Sequence, residues 1–285
     1  MAAPRLIPTV AEMRKEAQLA RALSRRVAFV PTMGYLHQGH VSLLEAARQA
    51  GDVVVLSIFV NPTQFGPRED LARYPRDLEA DLAKARAAGV DLVFHPEAAD
   101  MYPDGYQTYV EVRELASGLC GERRPGHFTG VATVVLKLFH IVQPHVAFFG
   151  EKDFQQLQVI RRLVRDLDLA VAVVGLPIVR EPDGLAMSSR NAYLSPSERR
   201  EALALSLALG ATRERFLAGE RDSAALVAAA QERLAAAPGV RLDYLELRDR
   251  ETLRPLTGPL HRSAVLAVAA FVGATRLIDN LQLSL

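Results

Sequence analysis

Val27-Ala28-Phe29-Val30-Pro31-Thr32-Met33-Gly34-Tyr35-Leu36-His37-Gln38-Gly39-His40 is the stretch in which the fold first becomes legible. Val27 to Val30 is a short apolar run of the kind a buried parallel strand presents, and it predicts a strand that stops at Pro31. A polar, glycine-containing loop follows. From about His40 to Ala50 the spacing is helical, and Gly51 stands where a helix C-cap prefers glycine. Upstream, Thr9 with Glu12 has the form of a capping box ahead of helical spacing through Met13, Leu19 and Leu23. Downstream, Val53 to Val60 is a second β-branched apolar run, Arg76 to Ala88 a helix ended by Gly89, and Val90 to Phe94 a third strand. The alternation continues with a helix over Thr129 to Val142, a strand over His145 to Phe149, a helix over Phe154 to Leu167 and a strand over Val171 to Val174.

This order predicts an α/β protein, with a Rossmann-like, doubly wound parallel sheet covered on both faces over residues 1–176. Ligands of such sheets lie beyond the carboxyl ends of the strands, so the loops after Val30, Val60, Phe149 and Val179 hold the candidate site. After Leu176 the pattern changes. Ser195, Pro196 and Glu198 occupy the preferred N-cap, N1 and N3 places of a long alanine- and leucine-rich helix. A break at Gly219 to Ser223, a helix to about Ala236 and strands over Val240 to Leu247 and Ala264 to Val272 complete a smaller α+β domain, 177–285. No internal repeat or low-complexity tract is present.

Composition narrows the function classes. The 285 residues are 49% hydrophobic and 24% charged, enough for a substantial core. Thirty-four basic against 33 acidic residues leave a net charge of +1, which argues against nucleic acid or an anionic membrane as partner. The single Cys120 excludes an intramolecular disulfide framework and a cysteine-built zinc site. The longest apolar run, Ala264 to Val272, is half the roughly 18 residues a membrane span needs. Met1-Ala2-Ala3-Pro4-Arg5 lacks a secretory layout, so a cytoplasmic protein is expected.

Chemistry concentrates in the four loops. His37 and His40 can face one point at a helix N-terminus, where backbone N–H groups and the helix dipole favour an anion, and Gly39 removes a side chain that would block a phosphate. Two such histidines are also compatible with a structural or metal-binding role. Met187-Ser188-Ser189-Arg190 sets two hydroxyls beside a guanidinium able to grip phosphate oxygens, and it reads equally as a turn before the Ser195 cap. Asn61 and Gln64 put an uncharged amide pair at a strand end, suited to a small polar substrate or to fixing a turn at Pro62. In Gly150-Glu151-Lys152-Asp153-Phe154-Gln155-Gln156, Lys152 is one of four lysines in a chain with 30 arginines and suits a phosphate. Asp153 could bind Mg²⁺ or cap a helix. Arg124 and His127 stand in a glycine-flanked loop beside the cleft. His95, His140, His145 and His261 show no metal-like pairing.

The pairing of a His-x-Gly-His loop after the first long strand with a Met-Ser-Ser-Arg loop at the far end of the same sheet resembles the nucleotidylyl-transferring superfamily. Within it, the chain is similar to the pantoate–β-alanine ligase family. The matching stretches are Val30 to His40, Phe59 to Phe65, Tyr74-Pro75-Arg76, Arg124 to Phe128, Phe149 to Gln156, Asp183 to Asn191 and Arg276-Leu277-Ile278-Asp279-Asn280. They run in family order from one end of the chain to the other, residues 200 to 260 matching only in character, with tyrosine at the tolerant position 35.

The resemblance implies an ATP-dependent ligase that joins pantoate to β-alanine, with ATP as substrate and Mg²⁺ as its companion, working as a homodimer. It implies an ATP site built from Met33, Gly34, Tyr35, Leu36, His37, Gln38, Gly39 and His40, with His40 catalytic, together with Gly150, Glu151, Lys152, Asp153, Val179, Met187, Ser188, Ser189 and Arg190. Catalysis would fall to His37, His40, Lys152, Ser188, Ser189 and Arg190, and pantoate and β-alanine to Gln64 and Gln156; Asn61 and Arg124, from their places in the loops, are expected as further substrate contacts. An adenylyltransferase acting on a phosphate acceptor shares the histidine loop, but such an acceptor would call for cations where Gln64 and Gln156 stand. A tRNA synthetase would need an anticodon-binding unit, and a non-catalytic nucleotide sensor would have no turnover to lose. Gly66 to Asp70 is a candidate lid.

Overall fold

A computed structural model describes residues 3–67 and 69–285. The chain forms two compact units. One comprises the described residues up to Glu151 together with Gln156–Pro177, and the other comprises Lys152–Gln155 together with Ile178–Leu285.

The first unit is built on a six-stranded, all-parallel sheet in the order β1-β4-β3-β2-β5-β6, formed by β1 (Arg5–Ile7), β2 (Val27–Thr32), β3 (Val53–Ile58), β4 (Leu92–Phe94), β5 (Val146–Gly150) and β6 (Ala172–Leu176). Helices α1 (Val10–Ala22), α2 (Gln38–Ala50), α3 (Leu78–Ala87), α6 (His127–Val142) and α7 (Phe154–Asp166) alternate with the strands, and short helices α4 (Ala98–Met101) and α5 (Cys120–Arg123) interrupt the run before α6. All six residues of β3 are buried, which explains their unbroken apolar character. The chain passes from β2 outward to β3 and β4, then returns to place β5 on the other side of β2. The winding therefore reverses between β2 and β5, and the loops beyond their carboxyl ends flank the switch point.

Several sequence expectations are corrected. β2 does not stop at Pro31 but runs through it to Thr32, in register with Ser57 and Ile58. Its pairing with β5 covers only Ala28 and Phe29, so no donor is required of Pro31 on that side. β1, which the sequence did not reveal, is a three-residue edge strand beside β4. Helix α1 buries Met13, Ala17 and Ala20, whereas Leu19 and Leu23 are more than half exposed. Gly51 caps α2 in an extended conformation, φ −140°, so its glycine is not there for left-handed backbone. A Cβ on Gly51 would lie 2.7 Å from the Ala28 Cβ and 2.9 Å from its N, and close approach to β2 is the physical requirement.

The second unit is an antiparallel sheet, β7 (Val240–Asp249), β8 (Ala264–Val272) and β9 (Thr275–Leu283), covered by α8 (Pro196–Leu217) and α9 (Ser223–Ala235). The Ser195 capping box forms as expected. β9, unread as a strand, pairs with β8 along its whole length.

Gly51→Ala is expected to cost about 1–3 kcal/mol through overpacking against β2. Urea denaturation measures it, and an unchanged midpoint would show that α2 and β2 can part without penalty.

Candidate active site

In the first unit the site begins where the chain leaves β2. Four consecutive backbone donors there lose the sheet as acceptor, and each finds a side chain instead. Thr32 Oγ1 accepts from Gly34 N at 3.2 Å, Asp81 Oδ2 from Tyr35 N at 2.8 Å, Asp81 Oδ1 from Leu36 N at 2.6 Å, and His40 Nδ1 from His37 N at 3.3 Å. Gly34 and Tyr35 both have positive φ, 83° and 51°. A Cβ on Gly34 would stand 3.0 Å from both Asp81 Oδ2 and Ile58 Cγ2, so the turn needs glycine. Asp81, on α3, is buried. Burial pushes its carboxyl up, against the opposing pull of the Leu36 and Tyr35 N–H groups. Sequence reading missed this residue, because an acidic residue in the first turn of a helix ordinarily signals only the helix dipole.

His37 is the N-cap of α2, and its Nδ1 accepts from Gly39 N at 3.1 Å. The two imidazoles lie 4.1 Å apart, tilted by 33°. Since each Nδ1 accepts from a backbone N–H, each neutral ring carries its proton on Nε2. The amides of His37 and Gly39 are thus bonded within the loop, and each ring presents its Nε2–H as a further donor at this helix terminus.

The amide cluster lies close by. Asn61, read as a substrate donor, is buried with its amide engaged by protein: Oδ1 accepts from Tyr102 Oη at 2.8 Å and Thr63 Oγ1 at 2.9 Å, while Nδ2 donates to Gln64 Oε1 at 3.0 Å and the Gly130 carbonyl at 3.2 Å. It stands behind Gln64 and holds it. Burial, with Tyr106 and Tyr109 nearby, pushes the Tyr102 hydroxyl up to about 12, so it remains a donor at neutral pH. Gln64 Nε2 reaches Met33 Sδ at 3.3 Å, joining the cluster to the histidine loop. Gly130 lets α6 approach this turn, since a Cβ there would meet the Thr63 carbonyl oxygen at 2.4 Å.

Arg124 is paired rather than presented as a bare cation. Its Nε and one terminal nitrogen hold the two Glu69 oxygens at 2.7 Å each, and the guanidinium also reaches His127 Nε2 at 3.0 Å and the Gln64 carbonyl at 3.4 Å. Burial opposes the charge on Glu69, but Arg124 outweighs it and holds the carboxyl below its usual range. The proposed lid, Gly66 to Asp70, is thus tied down at Glu69, and its Arg68 lies outside the described residues. Gly150 ends β5, Glu151 follows it, and Gln156 is half-buried in the first turns of α7.

The second unit carries the remaining predicted residues. The Lys152 Nζ lies 3.8 Å from Asp153 Oδ2, and the Lys152 carbonyl accepts from Asn280 Nδ2 at 3.0 Å. Val179 to Met187 is a short hairpin, closed by Met187 N to the Val179 carbonyl at 3.0 Å and by the Arg180–Ala186 bridge. It delivers Met187 to a turn over Ser189–Tyr193, where Ser188 Oγ accepts from Arg190 N at 3.3 Å. Asn191 Nδ2 braces the turn against Glu181 Oε1 at 2.7 Å and the Ala186 carbonyl at 3.1 Å. Among the described residues, no group of three or more His, Cys, Asp or Glu could hold a metal ion. Asp153, an exposed carboxylate beside Lys152, fits Mg²⁺ only as a partner to phosphate oxygens.

A parallel sheet whose winding reverses beside a histidine-capped helix defines a doubly wound α/β protein. A family model for pantoate-beta-alanine ligase matches residues 5–282, and the chain belongs to that family. It is 58% identical over 283 residues to the pantothenate synthetase of Myxococcus xanthus, covering 99% of this chain and 97% of the relative. It is 56% identical over 276 residues to that of Geobacter sulfurreducens, covering 97% of each. The crystal structure of pantothenate synthetase from Thermus thermophilus superposes with a TM-score of 0.92 at 52% identity, over 97% of this chain and 98% of that one. The pantoate-beta-alanine ligase of Francisella tularensis, solved with beta-gamma ATP and beta-alanine, superposes with a TM-score of 0.77 at 33% identity, over 98% and 97%.

Asp81→Asn keeps the side chain's shape but offers one acceptor oxygen where two N–H groups need one each. The substitution is expected to cost about 1–3 kcal/mol of unfolding free energy. Unchanged stability in denaturant titration would show that Tyr35 and Leu36 find other acceptors.

Proposed function

We propose that the chain is an ATP-dependent ligase that condenses pantoate with β-alanine to give pantothenate, through a pantoyl-adenylate and with release of AMP and pyrophosphate. The observation that carries this reading is the joining, within one unit, of the two Nε2-protonated histidines at the sheet's switch point to a buried, uncharged glutamine through Met33. A phosphate acceptor would call for cations at that place, and the nearby Arg124 is neutralised by Glu69. The Francisella relative, solved with beta-gamma ATP and beta-alanine, supports ATP and β-alanine as two of the three substrates.

A carboxylate is a poor acyl donor because oxide is a poor leaving group. The pantoate carboxylate attacks the α-phosphorus of ATP, pyrophosphate departs, and the mixed anhydride now carries AMP as leaving group. Negative charge grows on the phosphoryl oxygens, where fixed donors act most strongly. We assign that work to His37 and His40 Nε2–H, Lys152, Ser188, Ser189 and Arg190, with Met33–His40, Gly150–Asp153, Val179 and Met187–Arg190 holding the nucleotide. Gln64 and Gln156 orient pantoate, and Gln64 also β-alanine. Asn61 and Arg124 support Gln64 from behind. Mg²⁺, held by the phosphates and Asp153, supplies charge neutralisation when bound. The neutral amine of β-alanine then attacks the acyl carbon and AMP leaves. We place the reaction in the cytoplasm and in a homodimer, on the family resemblance.

Two measurements test this. Exchange of labelled pyrophosphate into ATP is expected with pantoate alone and without β-alanine; no exchange despite intact ATP binding would sink the two-step reading in favour of a phosphate acceptor. His40→Ala is expected to slow turnover roughly 10²- to 10³-fold, the usual worth of one such donor. A loss of affinity with no turnover in the parent protein would point to a sensor.

A further inference from the structure

The stretch Arg276 to Asn280 belongs to the family pattern, yet the reaction just described gives it nothing to do. Its position on β9 is unusual. Alternate residues of the strand, Thr275, Leu277 and Leu283 among them, are buried, and Asp279 occupies that same inward row where an apolar side chain would be expected. The next residue, Asn280, is also buried. Two adjacent buried polar side chains on one edge strand are costly unless every group is bonded.

Each is bonded to a segment that carries proposed ATP contacts. Asp279 takes Arg180 in a two-pronged pair, Oδ2 at 2.7 Å and Oδ1 at 3.0 Å, and its Oδ1 also accepts from Asn280 N at 2.8 Å. Arg180 in turn donates to the Gly184 carbonyl at 3.1 Å, so the pair fixes the first arm and the turn of the hairpin that delivers Met187 to Arg190. Asn280 Nδ2 donates to the carbonyl of Lys152 at 3.0 Å, across 128 residues of sequence. Strand β9 packs directly against the Ser189–Tyr193 turn.

We infer that Asp279 and Asn280 are positioning residues for ATP: Asn280 sets the backbone from which Lys152 projects, and Asp279, through Arg180, sets the Met187–Arg190 loop. The inference rests on the placement of Lys152 and that loop at ATP given above. Neither residue touches the reacting atoms. Their effect is to fix a lysine and a serine-arginine loop, far apart in sequence, against one rigid strand, which matters because phosphate stabilisation depends on donors set in place before charge develops.

The test is ATP binding by calorimetry in the absence of pantoate, with steady-state KM values alongside, for Asn280→Ala, Lys152→Ala and the double variant. Asn280→Ala is expected to weaken ATP about three- to tenfold, the worth of one neutral hydrogen bond, with KM for pantoate and β-alanine within about twofold. In the Lys152→Ala background the same change is expected to add almost nothing, since the two act in series. A purely structural role would lower the melting temperature and leave ATP affinity alone, and that result overturns the inference. So does an equal loss with and without Lys152. If Lys152→Ala itself leaves ATP affinity unchanged, the placement of Lys152 fails and the inference falls with it. Asn280→Asp, the same size but unable to donate, gives the same reading should the alanine variant not fold. Asp279→Asn is expected to weaken ATP independently of Lys152, and its effect should vanish when Arg190→Ala is already present.

Discussion

Strand β2 ends with a shortage of acceptors. At Thr32 the ladder stops, and the next backbone N–H groups must be satisfied by side chains or the loop cannot hold one shape. Two of them depend on Asp81, which sits on a different helix and is buried at the cost of an upward pressure on its carboxyl. The conformation of the histidine loop is therefore a consequence of how α3 lies on the sheet. The same accounting fixes the chemistry of His37 and His40. By accepting backbone N–H at Nδ1, each ring is committed to the tautomer that presents a proton at Nε2.

A common arrangement runs through both units. The segments that carry proposed substrate contacts are held by residues borrowed from elsewhere: Asp81 for the histidine loop, Asn61 for Gln64, Arg124 for the Gln64 backbone, and Asn191 with Arg180 for the Met187–Arg190 loop. These supporting groups are buried or half-buried, bonded on several sides, and mostly uncharged or charge-paired. Such support keeps donors oriented where water would otherwise have to reorganise during reaction.

The alternation of helix and strand, the long N-capped helix and the four loops at strand ends were legible in the sequence, because each leaves a local periodic or capping pattern. What escaped has no local pattern. β1 is too short for periodicity, and β9 reads as polar because Asp279 and Asn280 occupy buried places. The apolar stripe assigned to α1 held at Met13 but failed at Leu19 and Leu23, because Ala17 and Ala20 face the core in their place. Of the site, the residues proposed to act could be named from sequence, whereas their supports could not: Asp81 meets its partners across about 45 positions and Asn280 across 128. Loop position suggested substrate contacts for Asn61 and Arg124, and only the structure shows the protein partners that each also holds.

The segment Lys152–Gln155 belongs with the C-terminal unit although it is embedded in the middle of the other. Neither unit is therefore one continuous piece of chain. No single cut yields both as intact modules, and a fragment ending at Pro177 would retain Lys152 while discarding the strand that fixes it. Tolerance to recombination, permutation or domain exchange should accordingly be low around residue 152, however exposed the surrounding backbone. During synthesis, too, Lys152 leaves the ribosome well over a hundred residues before its anchor, so the bond to Asn280 can form only after β9 has emerged in its turn.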